Sequence, residues 1–262
     1  MMIGVTSVGV SSLKSGFRWL LDHKYVTSVL YILFICVVLF LCQIFFENIG
    51  SISSLTIEEF GSIVVLNTSS VTYLAVFVSS YFHLNVDHLL SNVGAYVVFS
   101  GCVLLVVWGR ERLRKKSMPP YYLLLLNALP TLFVPILISG STVIGWEKMY
   151  MISIHEVGFS GVVFSVFGIL LVEAALFIGL LAYICLVKPA CVKFGFVCPL
   201  FLSVGCVFLL WGLWDAVIFI FYNDFIGLFE GEPINFFGHM SGFIMGVILA
   251  LILEKLPERV GR

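Results

Sequence analysis

The sequence predicts an all-α fold: a polytopic membrane helix bundle of six transmembrane helices with the N and C termini in the cytoplasm. Three observations carry this. The 262 residues are 61% hydrophobic and 11% charged, whereas soluble domains carry roughly 25% charged residues. A chain this apolar has too little polar surface to coat a globule in water. Six stretches are close to the roughly 20 apolar residues that a helix needs to span a bilayer. The basic residues also fall on alternate sides of those stretches.

Taken in order, the first span is expected over Tyr25–Phe46 and the second over Leu84–Trp108. The third falls near Tyr121–Ser139, the fourth near Gly158–Leu186, the fifth near Phe196–Tyr222 and the sixth near Phe236–Leu253. Residues 1–24 read as a cytoplasmic segment whose part 11–24, with Lys14, Arg18, Trp19 and Lys24, suits an interfacial helix. They do not read as a cleaved signal peptide, because the apolar run that follows is long enough to span and lacks a small-residue cleavage site. Residues 25–256 form one membrane domain, and 257–262 are a short cytoplasmic tail. The loop at 47–80 keeps apolar pieces, Ile63–Leu66 and Val71–Val78, and is expected to dip into the interface.

The charges orient these spans. Every Lys and Arg except Lys148 lies in the N-terminal segment, the second-to-third loop (Arg110 to Lys116), the fourth-to-fifth loop or the tail. The positive-inside rule places those segments in the cytoplasm. Glu47, Glu58, Glu59, Glu147, Glu230 and Glu232 fall on the outer side. No basic patch of nucleic-acid type exists. The seven cysteines show no metal-ligand spacing and read as small apolar residues, with neither a disulfide nor a metal site expected. No cofactor is implied, and nothing sets an oligomeric state.

Polar side chains within spans are costly and mark function. Three clusters stand out. The second span opens with His83, Asn85, Asp87, His88 and Asn92. The fourth opens with Gly158-Phe159-Ser160-Gly161, and the sixth with Gly238-His239-Met240-Ser241-Gly242, followed by Gly246. All three spans run from outside to inside, so each cluster sits at one depth, roughly 5–15 Å below the outer interface at about 1.5 Å per residue. His88 and Asn92 share a helix face. Gly238, Gly242 and Gly246 form a small-residue stripe of the kind that lets helices approach closely in lipid. If that stripe packs on the fourth span, His239 comes within reach of Ser160, as a nucleophile and its base require. Each cluster alone has a packing explanation. Their joint occurrence at one depth favours chemistry.

In this combination the chain resembles the rhomboid family of intramembrane serine proteases, over about residues 80–255. The resemblance rests on His83, His88 and Asn92, on Gly158-Phe-Ser160-Gly161, and on His239 with Gly242 and Gly246. It implies a six-helix core, Ser160 as nucleophile and His239 as base in a dyad without aspartate. His88 and Asn92 would help form the oxyanion hole, and His83 would support the helix entrance. Phe164 stands where many members have a tyrosine under the histidine, and residues 47–80 lack the family's Trp-Arg pair. The implied substrates are single-span transmembrane proteins cut near the outer face, in the plasma membrane. Chemically, the Ser160 backbone N–H would join His88 and Asn92 as an oxyanion donor, and Phe164 packing on the imidazole would replace a third orienting residue. Two other readings compete: an inactive relative that binds membrane clients, and a transporter using the intramembrane acids Glu173 and Asp215.

Overall fold

The computed structural model describes residues 23–52, 64–83, 85–149, 155–156, 158–187 and 236–255, together with 204–207, 210–212, 214 and 218. These residues build an all-α bundle. Five helices among them are long and apolar enough to cross a membrane, the length and composition of a multi-pass membrane protein.

The first, α1 (Lys24–Ile52), starts one residue before the expected span and runs on into the expected loop. It presents Leu30, Leu33, Phe34, Val37, Leu41 and Ile44 outward, as a helix solvated by lipid does. A two-residue strand, β1 (Leu66–Asn67), and a short helix, α2 (Tyr73–Val78), follow. Val71, Tyr73, Leu74 and Phe77 are exposed there. After a 3-10 turn (Ser79–Tyr81) comes α3 (Val86–Arg114). Its N-cap is Asn85, whose side chain accepts the His88 N–H at 2.8 Å.

The third expected span is built in pieces: α4 (Pro120–Leu132), α5 (Val134–Thr142) and a π-helical turn over Val143–Met149. It reaches Trp146 rather than stopping at Ser139. The break at Phe133 has a specific cause. Pro135 has no N–H to offer the carbonyl four residues back, that of Thr131. The Tyr81 hydroxyl donates to that carbonyl instead. In lipid a freed carbonyl needs such a partner.

A two-residue strand, β2 (His155–Glu156), pairs antiparallel with β1 and leads into α6 (Ser160–Val187), the fourth span. The sixth expected span is α7 (Phe236–Lys255). Most of the expected fifth span, the interfacial segment at 11–22 and the tail at 257–262 lie outside the described residues. The core forms where α3, α4, α6 and α7 meet, around Tyr96, Tyr122, Leu123, Leu126, Phe159, Val162 and Val166. One expectation fails. Cys185 is disulfide-bonded, to a residue outside those described; Cys36, Cys42, Cys102 and Cys206 are free. Whether two thiols lie within the roughly 5.5–6 Å Cα separation of a bridge is a tertiary property that spacing does not display.

Candidate active site

The backbone that carries Ser160 is fixed before the helix begins. Gly158 has φ +131°, a conformation that side chains rarely adopt, and a Cβ there would sit 2.9 Å from the His88 ring. Its N–H donates to the Ser79 carbonyl at 3.1 Å. The next residue, Phe159, donates its N–H to His83 Nε2 at 3.3 Å, and its ring lies 5.3 Å from Tyr96 and 6.1 Å from Tyr81. Accepting at Nε2 requires a neutral His83 with its proton on Nδ1. Ser160 is then the first residue of α6, where backbone N–H groups have no partner within the helix and the dipole favours developing negative charge.

His239 lies in the first turn of α7 and is 5% exposed. Its Nε2 is 2.8 Å from Ser160 Oγ, across 79 residues of sequence. Phe164, one turn beyond Ser160, places its ring 4.6 Å from the imidazole at 31°. The approach that allows this is backbone against backbone. A Cβ on Gly242 would lie 2.1 Å from the Gly161 carbonyl oxygen, and one on Gly246 would lie 1.9 Å from that of Ser165. A side chain fits at neither place, so the glycine stripe faces α6.

His88 is half-buried, 5.2 Å ring to ring from His83. Asn92, one turn further in, is 7% exposed, and its Nδ2 has no hydrogen-bond partner among the described residues. A buried amide donor without a partner costs about 1–3 kcal/mol. Among the described residues no hydrogen bond joins either side chain to Ser160; the His88 ring lies against Gly158, two residues before α6.

Several contributors were not legible in the sequence. Ser141, from the third span, contacts the Ser241 hydroxyl at 2.7 Å and donates to the Phe237 carbonyl at 3.2 Å. Trp146 meets the Phe237 ring edge-on at 5.3 Å. Together they hold the first turn of α7, which carries His239. Tyr81 and Tyr96 bracket Phe159. The available signal was slight: Ser241 lies inside the third polar cluster and Ser141 in a Ser-Gly-Ser run.

The acid whose partner the sequence does not name, Glu173, lies far from this site. It is fully buried and pairs with Arg110, while Tyr122 donates to it at 2.5 Å. Asp215 is outside the described residues. Comparison with protein-family models, with curated proteins and with solved structures found no match.

Proposed function

We propose that this chain is a serine endopeptidase of the rhomboid type, cleaving single-span transmembrane proteins near the outer face of the plasma membrane. In this reading the chain crosses the bilayer six times with both termini in the cytoplasm. The observation that carries the proposal is the 2.8 Å contact between Ser160 Oγ and His239 Nε2, made by two helices in their first turns.

The chemistry follows from the arrangement. Ser160 Oγ attacks the scissile carbonyl carbon while His239 Nε2 takes the hydroxyl proton. The carbonyl electron pair moves onto oxygen, facing the Ser160 N–H, the Asn92 amide and the His88 ring. As the C–N bond breaks, His239 returns the proton to the leaving amine. A water molecule, deprotonated by His239, then attacks the acyl ester; the ester C–O bond breaks as His239 returns that proton to Ser160 Oγ. Phe164 holds the imidazole plane in place of a carboxylate. A substrate helix has its carbonyls hydrogen-bonded, so residues that weaken helix near its outer end should favour cleavage.

The pairing of Glu173 with Arg110 and Tyr122 supports a structural role for that acid over ion coupling. The deciding experiment is incubation of the purified protein in detergent with a generic single-span substrate. Cleavage by the parent and none by Ser160→Ala is expected. No cleavage by either would favour an inactive client-binding protein.

A further inference from the structure

The inner half of the molecule holds a buried charged cluster that the chemistry above does not use. Arg110, on α3, is fully buried. It pairs through one guanidinium nitrogen with Glu173 on α6 and through the other with Glu254 on α7, the latter at 2.6 Å. Tyr122, on α4, donates to Glu173 at 2.5 Å and to Glu254 at 3.3 Å. Arg114 adds a second contact to Glu254 at 3.1 Å. Four helices are tied at one point, about 20 Å along α6 from Ser160 at roughly 1.5 Å per residue.

The contacts between α6 and α7 explain why such a tie is needed. Gly242 sits over Gly161, and Gly246 over Ser165. Both pairs have the same sequence offset, since 242 − 161 and 246 − 165 are each 81. Small residues stand at successive turns on both helices, Gly161, Ser165 and Gly168 on α6 and Gly238, Gly242 and Gly246 on α7. Sliding α7 by one turn would bring Gly238 opposite Gly161 and Gly242 opposite Ser165, small against small again. A smooth stripe lets helices approach, but it repeats with the helical pitch of about 5.4 Å and leaves the axial register degenerate. Steps of one turn are a known way for packed helices to shift. The carboxylates break the degeneracy. Glu254 and Glu173 share the same offset of 81 (254 − 173), so the Arg110 fork meets both at once in one register only. A one-turn slide would withdraw Glu254 from Arg110 and separate His239 from Ser160.

We propose that Arg110, Glu173 and Glu254 form a register pin: they select, among the packings the small-residue stripe allows, the one that aligns His239 with Ser160. They are positioning residues, acting through the helix axes. Buried ionic groups often add little net stability, and their best-attested use is to specify registry. The proposal rests on the proposed function only for its consequence on rate; the register itself can be measured without activity.

The experiment compares the full-length parent with Arg110→Met/Tyr122→Phe/Glu173→Leu/Glu254→Leu, which removes the pin without leaving a buried charge or hydroxyl unpartnered. Spin labels on ketone side chains introduced at Tyr183 of α6 and Ile252 of α7, both exposed, report the inter-helix distance by pulsed electron resonance. The parent should give one narrow distribution. The neutral variant should unfold at the parental temperature or above, yet show a second population displaced by about 5 Å, one helical turn. Its labelling by a fluorophosphonate should slow tenfold or more. A single parental distribution in the folded variant overturns the proposal, whatever its labelling rate. A displaced population with unchanged labelling would keep the pin and count instead against the Ser160–His239 dyad. If the neutral variant does not fold, Arg110→Lys decides by the same measurement. A compact ammonium cannot fork across two carboxylates, so a broadened distribution is expected, and a parental one overturns the pin.

Discussion

At the N-terminal ends of α6 and α7, the outer ends in the proposed topology, Ser160 Oγ and His239 Nε2 lie 2.8 Å apart, and the Asn92 amide of α3 has no partner among the described residues. Toward the C-terminal ends of the same two helices, the inner ends in that topology, Glu173 and Glu254 are gripped by Arg110, Tyr122 and Arg114. Both ends place polar groups within the packed bundle, Glu173 fully buried and His239 5% exposed. They differ in how those groups are satisfied. The inner carboxylates already have their cations, so a ligand would gain little there. The outer amide of Asn92 is buried with hydrogen-bonding capacity to spare. Polarity that has been neutralised reads as structure; polarity left open reads as a site. The difference also separates what single mutations should do: outer substitutions should cost rate, and an inner substitution that strands a buried charge should cost stability.

The largest effect is expected at the dyad. Ser160→Ala and His239→Ala should each lower kcat by about 10⁴-fold or more while leaving the melting temperature near that of the parent, because either residue alone disables the unit. A single-turnover cleavage assay beside a thermal melt checks this. Cleavage at a parental rate by either variant would dissolve the contrast.

Next comes Arg110→Met. It leaves Glu173 and Glu254 buried without their cation, a loss of about 3–5 kcal/mol in comparable buried pairs. A lowered melting temperature is expected, measurable by differential scanning fluorimetry. A parental value would mean the inner cluster contributes no more than a surface pair.

How legible these two ends were in the sequence differs as sharply. Ser160, His239, His88 and Asn92 stand out because polar side chains near the start of apolar spans are conspicuous, and helix direction alone puts them at one depth. The glycine stripe supplies the contact between the helices that carry the dyad. The inner cluster was hidden by a boundary. Arg110 opens the run Arg110 to Lys116, which reads as cytoplasmic loop. The helix in fact continues to Arg114, so Arg110 lies a turn inside the bundle and its charge belongs to the core. Glu173 therefore stood out as an unexplained acid although its cation was in plain view. Tyr81 was hidden for another reason: its bond to the Thr131 carbonyl depends on a proline break in a different span, and no local pattern connects the two.

A smaller effect on rate is expected for the open donors. Asn92→Ala should lower kcat by about 10²–10³-fold with KM little changed, as loss of an oxyanion donor does. Because the amide is unpartnered in the free protein, its removal should not lower the melting temperature. His88→Ala should follow the same pattern. A rise in KM at unchanged kcat, or a marked loss of stability, would make these residues a clamp and move them to the structural side of the comparison.

The smallest effect concerns His83, which serves the outer site as the acceptor of the Phe159 N–H. His83→Gln keeps an acceptor there and should melt near the parental temperature, whereas His83→Ala leaves that N–H without its partner, a cost of about 1–3 kcal/mol. Equal melting temperatures for both variants would show that the bond contributes nothing.

The most direct test of an open outer site is the reactivity of Ser160 itself, without any protein substrate. Purified protein is treated with a fluorophosphonate, and the labelled residue is identified by mass spectrometry for the parent, Ser160→Ala and His239→Ala. The expected result is one labelled serine, Ser160, with no label in Ser160→Ala and labelling slowed at least about 10²-fold in His239→Ala, the lower end of what a general base contributes. Labelling that persists in Ser160→Ala, or that proceeds at the parental rate without His239, would contradict the dyad.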